Sequence, residues 1–176
     1  ECCAVITADE GLRGGKSIPL KQNSDIAVEE CPSVHSVIVV QRTGGEIKWN
    51  TQKDIWYHDL VQEQSDSCPI EIMDSEDPLF ILYTSGSTGK PKGVQHSSGG
   101  YLLHAAITHK YVFNYEEDDV YWCTADVGWI TGHSYIVYAP LLKGCTTILF
   151  EGKPVGTPDA GAFWRVIADH KVRAMF

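Results

Sequence analysis

Apolar, β-branched runs of strand length alternate along the chain with segments of helical length. This alternation is typical of parallel βαβ units, because a strand buried on both faces reads as a continuous apolar run. The pattern predicts an α/β fold with strands at Ala4–Thr7, Ser36–Val40, Leu79–Tyr83, Val120–Cys123, Thr146–Phe150 and Ala174–Phe176. It predicts helices near Ser24–Glu30, Lys53–Gln64, Gly99–Tyr111, His133–Leu142 and Pro158–His170.

One polar stretch interrupts this alternation. Residues Val61–Asp77 are rich in Glu, Asp, Gln and Ser, which predicts a surface linker between two lobes of one domain. The lobes would be residues 1–60 and 78–176. The chain begins on a predicted strand and stops on another, where a doubly wound sheet needs further strands or covering helices. We therefore expect a domain truncated at both ends.

The charge balance argues against two classes of partner. The chain has 23 acidic and 14 basic residues, a formal net charge of -9. This charge repels nucleic-acid phosphates and an anionic membrane surface. No run approaches the roughly 20 apolar residues needed to span a bilayer, and the start of the chain has no basic region leading into an apolar run. We expect neither a nucleic acid nor a membrane as a partner.

The cysteines and histidines show neither the pattern of a disulfide framework nor that of a metal site. The six cysteines include no CxxC pair, and the seven histidines include no HExxH motif. We expect reduced, mostly buried thiols, a cytoplasmic location, and no metal bound by the chain's own side chains.

The strongest chemical signal is YTSGSTGKPKGV at Tyr83–Val94, directly after an apolar strand. Between Thr84 and Lys92 it combines hydroxyl groups, two glycines that let backbone N–H groups close on an anion, and two lysines. We expect it to bind a polyphosphate. The residues concerned are Thr84, Ser85, Ser87 and Thr88, with Gly86, Gly89, Lys90 and Lys92.

This loop is not a Walker A loop. Gly86 and Gly89 are too close together for the GxxxxGK[ST] spacing, and Pro91 follows Lys90 where that motif needs Ser or Thr. Pro91 also biases Lys90 away from helical geometry. A flexible surface linker is the alternative, but a strand precedes the loop and an apolar helix is predicted after it.

The motif TSGSTGKPKG resembles the phosphate-loop signature of the acyl-adenylate-forming enzymes, and the surrounding residues are most similar to the acetyl-CoA synthetase branch. The resemblance implies an N-terminal AMP-binding domain, a separate C-terminal domain, and the substrates acetate, ATP with Mg²⁺, and coenzyme A. It also implies that the carboxylate attacks the α-phosphorus and that the CoA thiol then displaces AMP. By resemblance, Thr88 and Lys92 would be catalytic, and the phosphates would be bound by Thr84, Ser85, Gly86, Ser87, Thr88, Gly89, Lys90, Lys92 and Gly93.

A second segment, Tyr121–Leu141, resembles the acyl-pocket segment of the same branch. The resemblance implies that Trp129, Ile130 and Thr131 form the wall of a short pocket, and that Thr131 also contacts CoA. The alternative is that aromatic residues here, notably Tyr135 and Tyr138, are ordinary core. A carboxylate substrate is already ionised and needs no base, so His133 is interpreted as structural.

A third segment, GLRGGKSIPLK at Gly11–Lys21, resembles the part that contacts the nucleotide of CoA. The residues concerned would be Arg13, Gly14, Gly15 and Lys16. The branch usually has arginine at both cationic positions, and Lys16 offers a point charge without a planar fork. An exposed basic turn is the alternative interpretation.

Different segments of the sequence favour different carboxylic acids as the substrate. After FEG the chain reads KPVGTPDAGAFWRV, Lys153–Val166, which is more similar to propionyl-CoA synthetases, with Val155 where the acetyl branch has a CoA-contacting asparagine. The loop TSGSTGKPKGV and Thr131 match the acetyl branch. Acetate is favoured and propionate stays open. A non-catalytic nucleotide-binding module is the rival from another class, and this chain alone should be inactive.

Overall fold

The computed structural model describes residues 2–85, 89–114, 116, 118–152 and 158–176. The described residues divide into two compact units. The first comprises Glu1–Pro69 with Glu151–Thr157, and the second comprises Ile70–Phe150 with Pro158–Phe176. The first crossing between the units lies within the polar stretch 61–77, while the return of Glu151 to the first unit has no signal in the sequence pattern.

The first unit contains a parallel sheet of three strands in the order β1-β4-β5, with Ala4 paired to Ser36. Its core is a valine cluster of Val28, Val34, Val37 and Val39. A separate antiparallel hairpin, β2–β3, follows β1. The elements are β1 (Ala4–Ala8), β2 (Gly11–Arg13), β3 (Lys16–Ile18), α1 (Leu20–Glu29), β4 (Ser36–Val40), β5 (Asp54–Trp56) and α2 (Tyr57–Gln62).

The second unit contains a parallel sheet in the order β10-β8-β9 and a separate antiparallel pair, β6–β7. Its strands are β6 (Pro78–Thr84), β7 (Lys92–Ser97), β8 (Val120–Trp122), β9 (Thr146–Thr147) and β10 (Val172–Met175). Its helices are α3 (Ser98–Phe113), α4 (Ile130–Gly132), a π-helical segment (His133–Tyr138), α5 (Ala139–Lys143) and α6 (Ala162–His170). Tyr121 and Trp122 of the central strand β8 are fully buried.

The α/β class and the parallel sheets are confirmed, but several elements differ from the prediction. Lys53–Gln64 was predicted as one helix and is a strand, β5, followed by the shorter α2. The buried Asp54 explains the difference, because its carboxylate pairs with Lys21 and accepts the N–H of Asn50, and the strand geometry allows both contacts.

Other boundaries differ as well. Helix α6 begins at Ala162 rather than Pro158, because the carboxylate of Asp159 accepts the N–H of Gly161 and pairs with Arg165, which forms a turn before the helix. The strand predicted at Thr146–Phe150 is only Thr146–Thr147. The hairpin β2–β3 and the strand β7 were not predicted at all.

No disulfide bond is found among the described cysteines. The expectation that most are buried is wrong, since Cys2, Cys3, Cys31 and Cys68 are exposed and Cys123 alone is fully buried. Across the described ranges, no helix has both the length and the apolar character to cross a membrane.

Candidate functional site

The predicted phosphate loop connects the two strands of the β6–β7 hairpin. Thr84 pairs with Lys92 in the ladder, and the hydroxyl of Thr84 donates to the carbonyl of Lys92 at 3.5 Å. Among the described residues, Ser85 and 89–91 therefore lie at the tip. Gly89 has φ = +78°, which a side chain would strain. Gly86, Ser87 and Thr88 lie outside the described residues.

This geometry corrects one expectation. The loop was predicted to leave a strand of a parallel sheet and to enter a helix, but the next element is β7, an antiparallel partner of β6. A close approach at Gly93 accompanies the pairing, because a Cβ there would lie 3.0 Å from Ile81 Cγ2 and 3.1 Å from the ring of Tyr83. Helix α3 begins only at Ser98.

The polar groups at the hairpin tip face solvent. Thr84, Ser85, Lys90 and Lys92 are all exposed. Two lysines within three positions bring positive charge to a tip that also offers hydroxyl groups. Such a tip can bind an anion without breaking any packing in the interior.

The predicted acyl-pocket segment begins in a tight turn after β8. The Asp126 carboxylate accepts the N–H of Gly128 at 2.9 Å, and the Asp126 carbonyl accepts the N–H of Trp129 at 3.1 Å. Gly132 packs directly on this turn, because a Cβ there would lie 2.2 Å from the Asp126 carbonyl oxygen. The close approach of two backbones explains why position 132 requires glycine.

The three predicted wall residues are consecutive at the start of the helical segment. Trp129 is 71% exposed, Ile130 is 41% exposed, and Thr131 is half-buried. The indole of Trp129 is therefore accessible to a ligand in this chain. Tyr135 and Tyr138, by contrast, are half-buried and pack in ring clusters with Phe113 and Phe80 respectively.

A ring cluster joins the hairpin to the acyl-pocket segment within the second unit. Phe80 of β6 lies 4.9 Å from Tyr101 of α3, 5.2 Å from His133 and 5.6 Å from Tyr138, measured between ring centroids. His96 of β7 lies 4.7 Å from the same ring. Sequence reasoning did not select Phe80, Tyr101 or His96, because no local spacing relates residues on four separate elements.

The cationic pair of the third segment lies on the β2–β3 hairpin of the first unit. Gly14 and Gly15 have φ = +57° and +76°, the two positive values that a type I′ turn requires. Arg13 and Lys16 are directly opposite in the ladder and both are exposed. The turn thus presents two cations side by side.

The buried Asp9 organises the chain just before this hairpin. Its carboxylate accepts backbone N–H groups from Glu10, Arg42, Thr43 and Gly44, at distances from 2.7 to 3.2 Å. Burial opposes the charge, but these hydrogen bonds prevail and lower the pKa of Asp9. The contact fixes the carboxyl ends of β1 and β4 to each other, and no motif in the sequence predicted it.

No group of three or more His, Cys, Asp or Glu side chains that could hold a metal ion occurs among the described residues. The segment Lys153–Thr157, which carries part of the similarity to propionyl-CoA synthetases, lies outside them.

Comparison with known proteins adds to this geometry. The whole chain, residues 1–176, matches the sequence model of the family described as AMP-binding enzyme. The chain belongs to the AMP-binding enzyme family. The relationship inferred from TSGSTGKPKG is thereby confirmed, and the described residues of this motif belong to the β6–β7 hairpin.

Three relatives with high sequence identity are named acetyl-coenzyme A synthetases. The chain is 64% identical over 176 residues to acetyl-coenzyme A synthetase 2 of Pseudomonas aeruginosa, covering 100% of this chain and 27% of that protein. It is 63% identical over 172 residues to acetyl-coenzyme A synthetase of Halorhodospira halophila, covering 98% and 26%. It is 62% identical over 176 residues to acetyl-coenzyme A synthetase of Alkalilimnicola ehrlichii, covering 100% and 27%. The chain thus spans about a quarter of the length of these relatives.

Proposed function

We propose that this chain is part of an AMP-forming acetate–CoA ligase, and that the β6–β7 hairpin binds the phosphates of ATP in it. The supporting observation is the exposed hairpin tip, where Thr84, Ser85, Lys90 and Lys92 are accessible around Gly89. Identity of 58–64% to acetyl-CoA synthetases over nearly the whole chain supports the same choice.

The tip residues fit the chemistry of adenylation. Acetate attacks the α-phosphorus of magnesium-ATP, and pyrophosphate leaves with a high negative charge. Lys90 and Lys92 would stabilise this charge as it develops, and the hydroxyls of Thr84 and Ser85 would donate to phosphate oxygens. Within this proposal Lys92 and Thr88 keep catalytic roles, and Gly86, Ser87 and Gly93 belong to the same phosphate-binding loop.

The acyl-pocket segment would limit the size of the acid. Trp129 exposes its indole, and Ile130 and Thr131 follow it directly. A bulky wall excludes longer acyl chains by steric clash, but each methylene changes the free energy of discrimination by only about 1–3 kcal/mol. Acetate is therefore the proposed substrate, and propionate is the alternative acid.

The β2–β3 hairpin would contact the nucleotide part of CoA. Arg13 and Lys16 would bind phosphate oxygens of CoA, and the turn at Gly14 and Gly15 lets the ligand approach the backbone. Thr131 would contact CoA as well. The CoA thiol then displaces AMP from the acyl adenylate. We also propose a cytoplasmic location, which is consistent with reduced cysteines.

Exchange of labelled pyrophosphate into ATP by the full-length protein tests the proposal. We expect exchange that depends on added acetate, with propionate giving a lower rate. Exchange with propionate alone would assign the enzyme to that acid. If neither acid supports exchange while ATP still binds, the protein is a nucleotide-binding module without adenylation activity.

A further inference from the structure

His133 makes two contacts with the same atom of the acyl-pocket segment. Its backbone N–H donates to the carbonyl oxygen of Trp129 at 2.9 Å, and its ring atom Nδ1 lies 3.0 Å from that oxygen. In the Nδ1–H tautomer the ring donates a second hydrogen bond to it. A residue four positions further along the chain thus fixes the orientation of the Trp129 peptide.

The imidazole of His133 also packs against the β6–β7 hairpin. The rings of His133 and Phe80 have centroids 5.2 Å apart and planes inclined by 35°. Phe80 lies in β6, the strand that leads into the loop at Thr84, and it pairs with His96 across the ladder. The side chain of His133 therefore contacts both segments to which we assign substrate binding.

A buried hydrogen bond fixes the base of this arrangement. The hydroxyls of Tyr101 and Ser134 lie 2.7 Å apart, and both residues are buried. Ser134 is the second residue of the π-helical segment, directly after His133. Pro140 has no backbone N–H and so cannot donate the regular helical hydrogen bond to the carbonyl four residues earlier. Irregular turns of this kind occur frequently at functional sites. The Tyr101–Ser134 hydrogen bond thus fixes the position of the π-helical segment relative to α3.

We propose that His133 is a positioning residue for adenylation, which holds Trp129 in a fixed position relative to the β6–β7 hairpin; this inference depends on the proposed function. The carboxylate and the α-phosphorus react only from a narrow range of distances and angles. A displacement of about 1 Å between the acid and the phosphate groups can reduce the rate about 100-fold. His133 touches neither substrate and acts through Trp129 and Phe80.

Three substitutions in the full-length protein separate the hydrogen bond from simple packing. His133→Phe keeps a ring against Phe80 and removes the donor. His133→Asn keeps a donor at the Nδ1 position, whereas His133→Gln of similar chemistry places it near Nε2. His104→Phe, an exposed histidine on α3, is the matched control. The measurements are pyrophosphate exchange with acetate and with propionate, the KM for ATP, and the melting temperature.

We expect His133→Phe and His133→Gln to lower kcat/KM for acetate by roughly 10–100-fold. The ratio of exchange activity with propionate to that with acetate should rise, and the KM for ATP should change by less than about threefold. We expect His133→Asn to restore most of the acetate activity and the wild-type ratio. Should His133→Phe fail to fold, the comparison of Asn with Gln alone carries the test.

Other results would overturn the inference. Equal losses in the Asn and Gln variants would remove the role of Nδ1, as would an unchanged acid ratio accompanied by parallel losses for ATP, acetate and melting temperature. If the wild-type protein shows no exchange with either acid, the proposed function itself is contradicted. This outcome is distinct from failure of the His133 inference, because it is seen without any variant.

Discussion

The ammonium group of Lys21 and the carboxylate of Asp54 lie 2.9 Å apart, and each side chain is only 1% exposed. Asp25, one turn further along α1, gives the same ammonium a second carboxylate. Burial opposes the charge on Lys21, but these two partners raise its pKa. The pair fixes α1 to β5 in the first unit, although no charge pattern in the sequence predicted a buried lysine.

Replacing Lys21 by Met should destabilise the first unit strongly. The change leaves the buried carboxylate of Asp54 without its partner, and breaking a buried pair costs about 3–5 kcal/mol. Asp25→Ala is the matched comparison and should cost less, because Asp25 is one-third exposed. Thermal unfolding of the full-length protein measures both variants. Equal melting temperatures for Lys21→Met and wild type would contradict the prediction.

Gly132→Ala should disrupt the turn that begins at Asp126. The new Cβ would lie within 3 Å of three backbone atoms of Asp126 and Val127, so the turn must move, at a cost of about 1–3 kcal/mol or more. Gly128→Ala meets only a side-chain oxygen of Asp126 at 3.3 Å and should be nearly neutral for stability. Melting temperatures compare the two variants, and a smaller shift for Gly132→Ala would be evidence against the close approach.

His109 should make stability depend on pH in a defined window. Burial, and secondarily the charge of Lys143, lowers the pKa of His109 to about 4, whereas an unfolded histidine titrates near 6.5. The unfolded state therefore binds more protons between these values, so stability present above pH 6.5 is lost as the pH falls towards 4, by at most about 3 kcal/mol.

Denaturation midpoints at pH 7 and pH 5 test this sign. The wild-type protein should lose more stability between the two values than His109→Phe, in which nothing titrates at that position. His104→Phe, at an exposed position of the same helix, is the control for the loss of a histidine. A His109→Phe protein with the same pH dependence as wild type would refute the assignment.

Lys92→Ala should reduce acetate-dependent pyrophosphate exchange at least about 10-fold, since the residue would stabilise developing phosphate charge. Lys92 is exposed at the first position of β7, so its removal should leave the melting temperature unchanged. Lys110→Ala, an exposed lysine on α3, should keep wild-type exchange. Unchanged exchange in Lys92→Ala would remove the assigned role of its charge.

Lys16→Glu should raise the KM for CoA by roughly 10-fold, because it reverses one of the two charges on the β2–β3 turn. Pyrophosphate exchange does not involve CoA and should remain at the wild-type rate. Lys48→Glu, also exposed in the first unit, is the control and should leave the KM for CoA unchanged. A parallel loss in exchange by Lys16→Glu would point to a folding defect instead.

The local patterns predicted much of the architecture. The apolar runs at Ala4–Thr7 and Ser36–Val40 became β1 and β4, which pair in a parallel sheet, because β-branched residues favour the extended backbone of a strand. The prediction of a helix over Lys53–Gln64 was wrong because Asp54 takes its conformation from Lys21, a partner that is distant in the chain. Strand β7 was missed because its pairing with β6 is decided by the hairpin.

By itself the sequence determined the family, because the motif at Tyr83–Val94 consists of residues that are adjacent in the chain. The roles of this loop in phosphate binding and of Arg13 and Lys16 in CoA binding stay predictions. Only the tertiary structure decided that Phe80 and His133 share one contact and that Tyr101 bonds Ser134 from 33 residues away. Such contacts arise when separate elements pack against a common core, and their free energy depends on distances that no local pattern encodes.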